Sequence, residues 1–289
     1  MLLTYFVPAL VVLMMTIVGT GLSVEQFKMI THNSAKVLWS SLIGLILLPA
    51  GALIIGNLLA SGPEMVGALV LIAACPGGAL SNYYCYLVKS NAALSVVLTG
   101  LSSLHAFITL PILLTLLLPQ VFQIENLQLP FGQMVQRLLF YLFLPVLIAV
   151  LIRHRFPQFI LRHTRFLRGF SILLLIALLV AILFPQWHQA QAMIGDALML
   201  GTAFTGYAML VGWGVGFGLR LKAGEKMVLP LEYAIHNLGI AAIIAATCLG
   251  RPEFLTFAGL FVVLQFALIS AGLLFYQVLI RRKNPITET

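Results

Sequence analysis

The segment LPLEYAIHNLG, residues 229–239, lies inside an otherwise apolar run, and Glu232 is the only acidic residue deep within any stretch long enough to cross a bilayer. A carboxylate in hydrocarbon costs about 2.5–3.5 kcal/mol on insertion scales, and more in some simulations. Something must offset that cost, and no lysine or arginine lies in the spans as an obvious partner. A bound cation is the remaining candidate. His236 follows at i+4, which on a continuous helix puts it on the same side as Glu232. Pro230 and Gly239 weaken the helix on either side of this polar cluster.

The surroundings of this segment fix the fold class. Hydrophobic residues make up 61% of the 289 positions and charged residues only 8%, and the mean hydropathy is +1.08. Soluble domains carry roughly 25% charged residues, so a soluble reading is excluded. A spanning helix needs about 20 mostly apolar residues. Nine stretches qualify: 3–24, 37–60, 66–88, 92–118, 131–152, 169–187, 196–219, 227–250 and 255–280. The first starts at Met1 without a basic leader and is too long for the core of a signal peptide. The expected fold is an all-α polytopic membrane protein with nine transmembrane helices, in a cell (inner) membrane.

The net charge of +8 could suggest a nucleic-acid partner, but its distribution argues for a lipid bilayer instead. With the N-terminus outside, fourteen of the sixteen Lys and Arg residues fall on the cytoplasmic side, Arg137 and Arg251 being the exceptions. This is the positive-inside pattern, and it predicts N-out and C-in. The run Arg153–Arg168 then reads as an orientation signal at the anionic leaflet. Cys75, Cys85 and Cys248 lie in apolar spans without His or Cys at metal-ligand spacing, and read as small packing residues. The tail 284–289 reads as disordered.

Two spans are interrupted. In the third, Pro76-Gly77-Gly78 falls in mid-span, where proline removes a donor and glycine removes helix preference. Broken backbone at membrane depth is tolerated only where protein or a water-lined cavity satisfies it. A site is therefore predicted there, with Ser81 and Asn82 beside it. The fourth span carries Ser95, Thr99 and Ser102 on one helical face. The seventh holds Gly212/Gly216 and Gly214/Gly218, two small-xxx-small pairs that suit close helix packing better than a nucleotide loop. In the ninth, Gln265 is the strongly polar side chain in mid-span. The other interrupted span is the eighth, and its offset of five from the third implies opposite orientation. Paired broken segments point to an inverted-repeat transporter with its site at the midplane. The first repeat is then 1–120, with four helices, and the second 131–283, with five.

CPGGALSN at 75–82, ALSVVLTGLSSL at 93–104 and LEYAIHNLGIA at 231–241 together resemble the bile acid:sodium symporter family. The resemblance extends over nearly the whole chain. It implies panel and core domains, with two crossed discontinuous helices in the core, in a nine-helix variant that lacks the first helix. The core comprises 66–118, 227–280 and the second span 37–60; the panel comprises 3–24, 131–152 and 169–187. It implies a first sodium site of Ser81, Asn82, Ser95, Thr99 and Glu232, each an oxygen ligand suited to a hard cation. A second site maps onto Glu232, Tyr233, Ile235 and His236. There His236 stands in place of one glutamine, and Gly44 in place of another on the second span. One retained sodium, with His236 titrating in place of the second, is the expectation. The implied substrate is a small organic anion, bile-acid-like or a small carboxylate, lined by Gly78, Ala79, Asn82, His236 and Asn237. The expected partners are that anion, sodium ions and lipid, with the chain acting as a monomer.

Two other classes compete. A proton-coupled or facilitative carrier of the same architecture differs in lacking a sodium response. An enzyme would need a nucleophile–base or metal cluster; Glu232 and His236 are the sole candidate pair, with no HExxH motif and no second acid deep within any span.

Overall fold

The computed structural model describes residues 2–22, 34–59, 62–124 and 127–283. The loop bearing Lys28 and the tail 284–289 lie outside these. Among the described residues there is no β-strand, and all regular structure is helical apart from one isolated bridge. In chain order the helices are α1 (Leu2–Gly21), α2 (Ser34–Leu58), α3 (Pro63–Ala74), α4 (Leu80–Leu87), α5 (Ala92–Phe122), α6 (Phe131–Arg155), α7 (Pro157–Leu183), α8 (Trp187–Gly218), α9 (Val228–Ala234), α10 (Leu238–Ile244) and α11 (Pro252–Lys283). Among the described residues, five helices are long and apolar enough to cross a membrane, and a sixth if the bent α7 counts as one span. Each of the nine apolar stretches is helical, and the third and eighth are each split in two.

Local chemistry sets the boundaries. Helix α3 starts with proline at its first position, where the missing N–H costs nothing. It stops at Cys75, which is extended (φ −71°, ψ 149°) because Pro76 disfavours the helical region in the residue before it. Asn91 caps α5, its side chain accepting from the Leu94 amide at 3.0 Å. In α6 a π-helical turn at Leu139–Phe143 precedes Pro145, whose ring and missing donor disrupt the i→i−4 ladder. A second π turn, Ala245–Leu249, extends α10 and ends at Gly250 with φ +60°, the left-handed cap that glycine adopts without strain.

Packing runs chiefly through two sets of helices, joined where α5 meets α6 and α11 meets α7. Helix α1 lies along α6 and α7, while α8 packs on α9, α11 and α2, and α3 packs on α2, α5 and α11. Helix α8, which the core and panel lists left out, thus sits with the broken helices. The glycines of α8 divide. A side chain at Gly212 would meet the Leu229 backbone at 2.6 Å, and Gly216 lies near Leu221 and Leu229, so this pair permits close approach to α9. Gly214 and Gly218 have nothing within 4 Å, so the expectation of a second packing pair is wrong: they sit on the other face of the helix.

Candidate functional site

The two interruptions meet. Asn237 N–H donates to the Pro76 carbonyl at 3.0 Å, and Gly78 N–H donates to the Ile235 carbonyl at 2.8 Å. Gly77 and His236 thereby form an isolated antiparallel bridge. Each unwound strand satisfies the other's backbone, which meets the requirement that broken backbone at membrane depth be paired within protein. Gly77 and Gly78 are obligatory at this approach. An added Cβ would lie 2.1 Å from Glu232 Oε1 at the first and 2.8 Å from the His236 carbonyl oxygen at the second. Ser102 Oγ accepts the Gly77 N–H at 3.3 Å.

This corrects one expectation. Glu232 and His236 do not share a helix face, because the break falls between them rather than outside them. Helix α9 ends at Ala234, Ile235 is extended (φ −102°, ψ 110°), and α10 starts after Asn237, whose side chain caps it by accepting from the Ile240 amide at 3.3 Å. Pro230 sits inside α9 and Gly239 inside α10, and neither marks the interruption.

Glu232 is 5% exposed and makes no ion pair among the described residues. Its carboxylate is surrounded by hydroxyls. Ser81 Oγ donates to Oε2 at 2.6 Å, Ser95 Oγ to Oε2 at 3.2 Å, and Thr99 Oγ1 to Oε1 at 2.8 Å. Thr99 Oγ1 also lies 3.3 Å from Asn82 Oδ1. All five residues named from the sequence for a first cation site are therefore contiguous, drawn from α4, α5 and α9. The three hydroxyls hold one hydrogen each. Within their reach lie the two carboxylate oxygens, Asn82 Oδ1 and the carbonyls of Gly78 and Ser95. Lone pairs outnumber protons, and that surplus of oxygen donors without a positive charge is what a hard cation fits.

The residues named for a second site are arranged differently. Tyr233 packs its ring against Gly44, where an added Cβ would be 2.7 Å from the ring, and its hydroxyl donates to the Ser40 carbonyl. His236 is packed beside Phe204 and Phe261, with ring centroids 5.6 and 6.4 Å away. Its Nδ1 lies 3.2 Å from the Ala234 carbonyl. A carbonyl only accepts, so Nδ1 carries the hydrogen, and Nε2 has no partner among the described residues. No hydrogen bond joins His236 to Glu232.

Two clefts flank the crossing. One, of about 550 Å³, is lined by Ser41, Gly44, Ser102, His105, Glu232 and Tyr233 among others. The other, of about 500 Å³, brings Gly78, Ala79, His236 and Asn237 together with Met15 of α1 and Ser171 of α7. Among the described residues, Asn237 Nδ2 there has only the Met15 sulfur, at 3.5 Å, as its partner. Asn82, assigned from the sequence to both ion and substrate, is on the carboxylate side. Sequence reasoning missed the role of Gln265, which donates to the Ala234 carbonyl and borders the second cleft. Its place in the middle of an apolar helix was the available signal. It also missed the contributions of α1 and α7, which no motif marks.

Residues 8–191 match the profile of the Sodium Bile acid symporter family. Similar curated proteins include the "Probable sodium/metabolite cotransporter BASS1, chloroplastic" of Arabidopsis thaliana, 23% identical over 83% of this chain and 59% of that protein. The uncharacterized sodium-dependent transporter YocS of Bacillus subtilis is 24% identical over 78% of this chain and 69% of its own length. The ileal sodium/bile acid cotransporter of Homo sapiens is 25% identical over 92% of this chain and 77% of its own length. The match thus spans less than two thirds of the Arabidopsis protein.

Proposed function

Because the chain belongs to the sodium bile acid symporter family and is a multi-pass membrane protein, we propose that it is a secondary transporter that takes up an organic anion together with sodium by alternating access. The observation that carries this reading is the oxygen cluster of Ser81, Asn82, Ser95, Thr99 and Glu232 at the crossing of two broken helices. These residues would hold the coupling sodium and balance the buried carboxylate. The anion would sit in the cleft bordered by Gly78, Ala79, His236 and Asn237. The proposed topology has nine spans, N-out and C-in, in two inverted repeats. Helices α2–α5 and α8–α11 form the core and α1, α6 and α7 the panel, a division supported by their packing.

A sodium titration of thermal stability tests the reading, with Glu232→Gln and Ser95→Ala as comparisons. Sodium, and not potassium, is expected to stabilise the wild type, and both variants should lose most of that response. A wild type that sodium does not stabilise would favour the proton-coupled or facilitative alternative.

A single sodium per cycle is favoured by a second observation: the Tyr233 ring fills the space beside Gly44, and His236 turns Nδ1 to Ala234 rather than to Glu232. One sodium with one monoanion moves no net charge, whereas a second sodium would gain about 2.3 kcal/mol per 100 mV. Transport of a monoanion at fixed pH should therefore carry no current. A sustained inward positive current would refute the one-sodium stoichiometry without touching the transporter reading.

A further inference from the structure

Helix α7 is bent by 48° between Pro157–Leu167 and Gly169–Leu183. The first segment, 11 residues and about 16 Å long, therefore departs from the direction of the apolar part of its own helix. It is held to the protein by Ile160, which is buried, while Phe156, Phe159 and Phe166 are 55%, 62% and 67% exposed. Arg155, Arg162 and Arg165 are exposed among these rings. The neighbouring Arg153 is used differently: its guanidinium donates to the Thr20 carbonyl at the end of α1. The remaining three have no carboxylate in ion-pair range, the one salt bridge among the described residues being Arg251–Glu64. None is available nearby in sequence either, since no Asp or Glu occurs between Glu125 and Asp196.

We propose that Arg155 and the segment Pro157–Leu167 form a docking surface for the headgroups of anionic phospholipids. Charge complementarity selects that occupant. Guanidinium groups pair their forked N–H donors with phosphate oxygens. The interleaved phenylalanines supply the apolar face that an interfacial helix buries at the boundary of headgroup and acyl chain. Neutral lipid satisfies the rings but leaves three cations uncompensated. A general attraction of basic loops to membranes would not distinguish this segment from the basic stretch Arg220–Lys226; here the difference is that arginines and exposed rings are interleaved within one segment free of acids, whereas the exposed Phe217 precedes the other stretch and Glu225 lies within it.

The experiment is native mass spectrometry of the full-length protein in neutral detergent and potassium buffer, titrated with phosphatidylglycerol or phosphatidylcholine. Omitting sodium keeps the result separate from the transport reading. The wild type is expected to retain phosphatidylglycerol in preference. Each arginine near an anionic surface is worth about fivefold in affinity, so Arg155→Gln/Arg162→Gln/Arg165→Gln should bind phosphatidylglycerol on the order of a hundredfold more weakly. Its phosphatidylcholine binding should be unchanged. Arg220→Gln/Lys222→Gln/Lys226→Gln should retain the preference. Unchanged phosphatidylglycerol binding in the first triple variant, or an equal loss in the second, overturns the proposal. Should the first triple variant not fold, a Phe159→Trp reporter in an otherwise native chain decides: brominated phosphatidylglycerol should quench it more strongly than brominated phosphatidylcholine, and equal quenching overturns the proposal.

Discussion

Replacing Gly77 by alanine places a methyl carbon 2.1 Å from Glu232 Oε1 and 2.8 Å from its Cδ. At an unhindered helical position the same change would stabilise by about 0.5–1 kcal/mol. Here the methyl cannot coexist with the carboxylate, and the backbone is pinned by the bridge to His236. Glu232 must therefore give way and lose its contacts with Ser81 and Thr99. Overpacking of this kind costs about 1–3 kcal/mol. Hydrogen bonds to a charged group are worth about 1.5–3 kcal/mol, which converts to roughly a tenfold to 150-fold weaker sodium affinity. At a sodium concentration a hundred times the wild-type Kd, binding stabilises by about 2.7 kcal/mol; a variant with a hundredfold higher Kd retains only about 0.4 kcal/mol. Thermal unfolding of purified protein with and without sodium measures both quantities. Gly214→Ala, where nothing lies within 4 Å, is the matched control and should respond to sodium as the wild type does. If Gly77→Ala keeps the full sodium shift at wild-type stability, the carboxylate is not held where the geometry places it, and Glu232 is not the ligand of the stabilising ion.

Other perturbations separate the parts of the site. Thr99→Val removes the hydroxyl joining Asn82 to Glu232, and should cost about 1–3 kcal/mol in thermal stability and most of the sodium shift, while Thr99→Ser keeps both. Gln265→Leu deprives the Ala234 carbonyl of a donor; a loss of about 1–3 kcal/mol in thermal stability is expected, with sodium affinity from titration changing less than in Gly77→Ala. Arg251→Gln breaks a half-exposed pair with Glu64 and a cation–π contact 4.4 Å from the Phe122 ring. Both terms are small at such sites, so the summed loss in a thermal scan should stay under about 2 kcal/mol.

The sequence made the interruptions legible because their cause is local. Pro76-Gly77-Gly78 cannot continue a helix, and the structure breaks there. Its counterpart was misplaced by a few residues, since nothing local forbids helix at Ile235–Asn237. That break is stabilised by hydrogen bonds to Pro76 and Gly78 across the crossing, a tertiary cause invisible to a reading of neighbours. The same distinction runs through the site. Ser95 and Thr99 declared themselves by spacing, and Glu232 by its cost in hydrocarbon. The Tyr233 ring against Gly44 and the use of Gln265 depend on where other helices lie. Half of the glycine pattern in α8 was over-read, because a small-xxx-small pair repeats on every face that carries glycine, and only contact with a neighbour decides which face matters.

The bridge between Gly77 and His236 also bears on how the chain is made. Ser81 and Glu232 are 151 residues apart. At synthesis rates of 5–20 residues per second, the partner strand emerges roughly 8 to 30 s after the first. Throughout that interval the Pro76 carbonyl and the Gly78 amide lack the groups that satisfy them in the finished protein, and each such group in hydrocarbon costs several kcal/mol. The third span is therefore a poor candidate for early, independent settlement in the bilayer. Its insertion is coupled to that of the eighth, and ribosome-bound fragments ending before Val228 should leave residues 75–79 accessible to aqueous thiol reagents through Cys75, whereas the finished chain buries it.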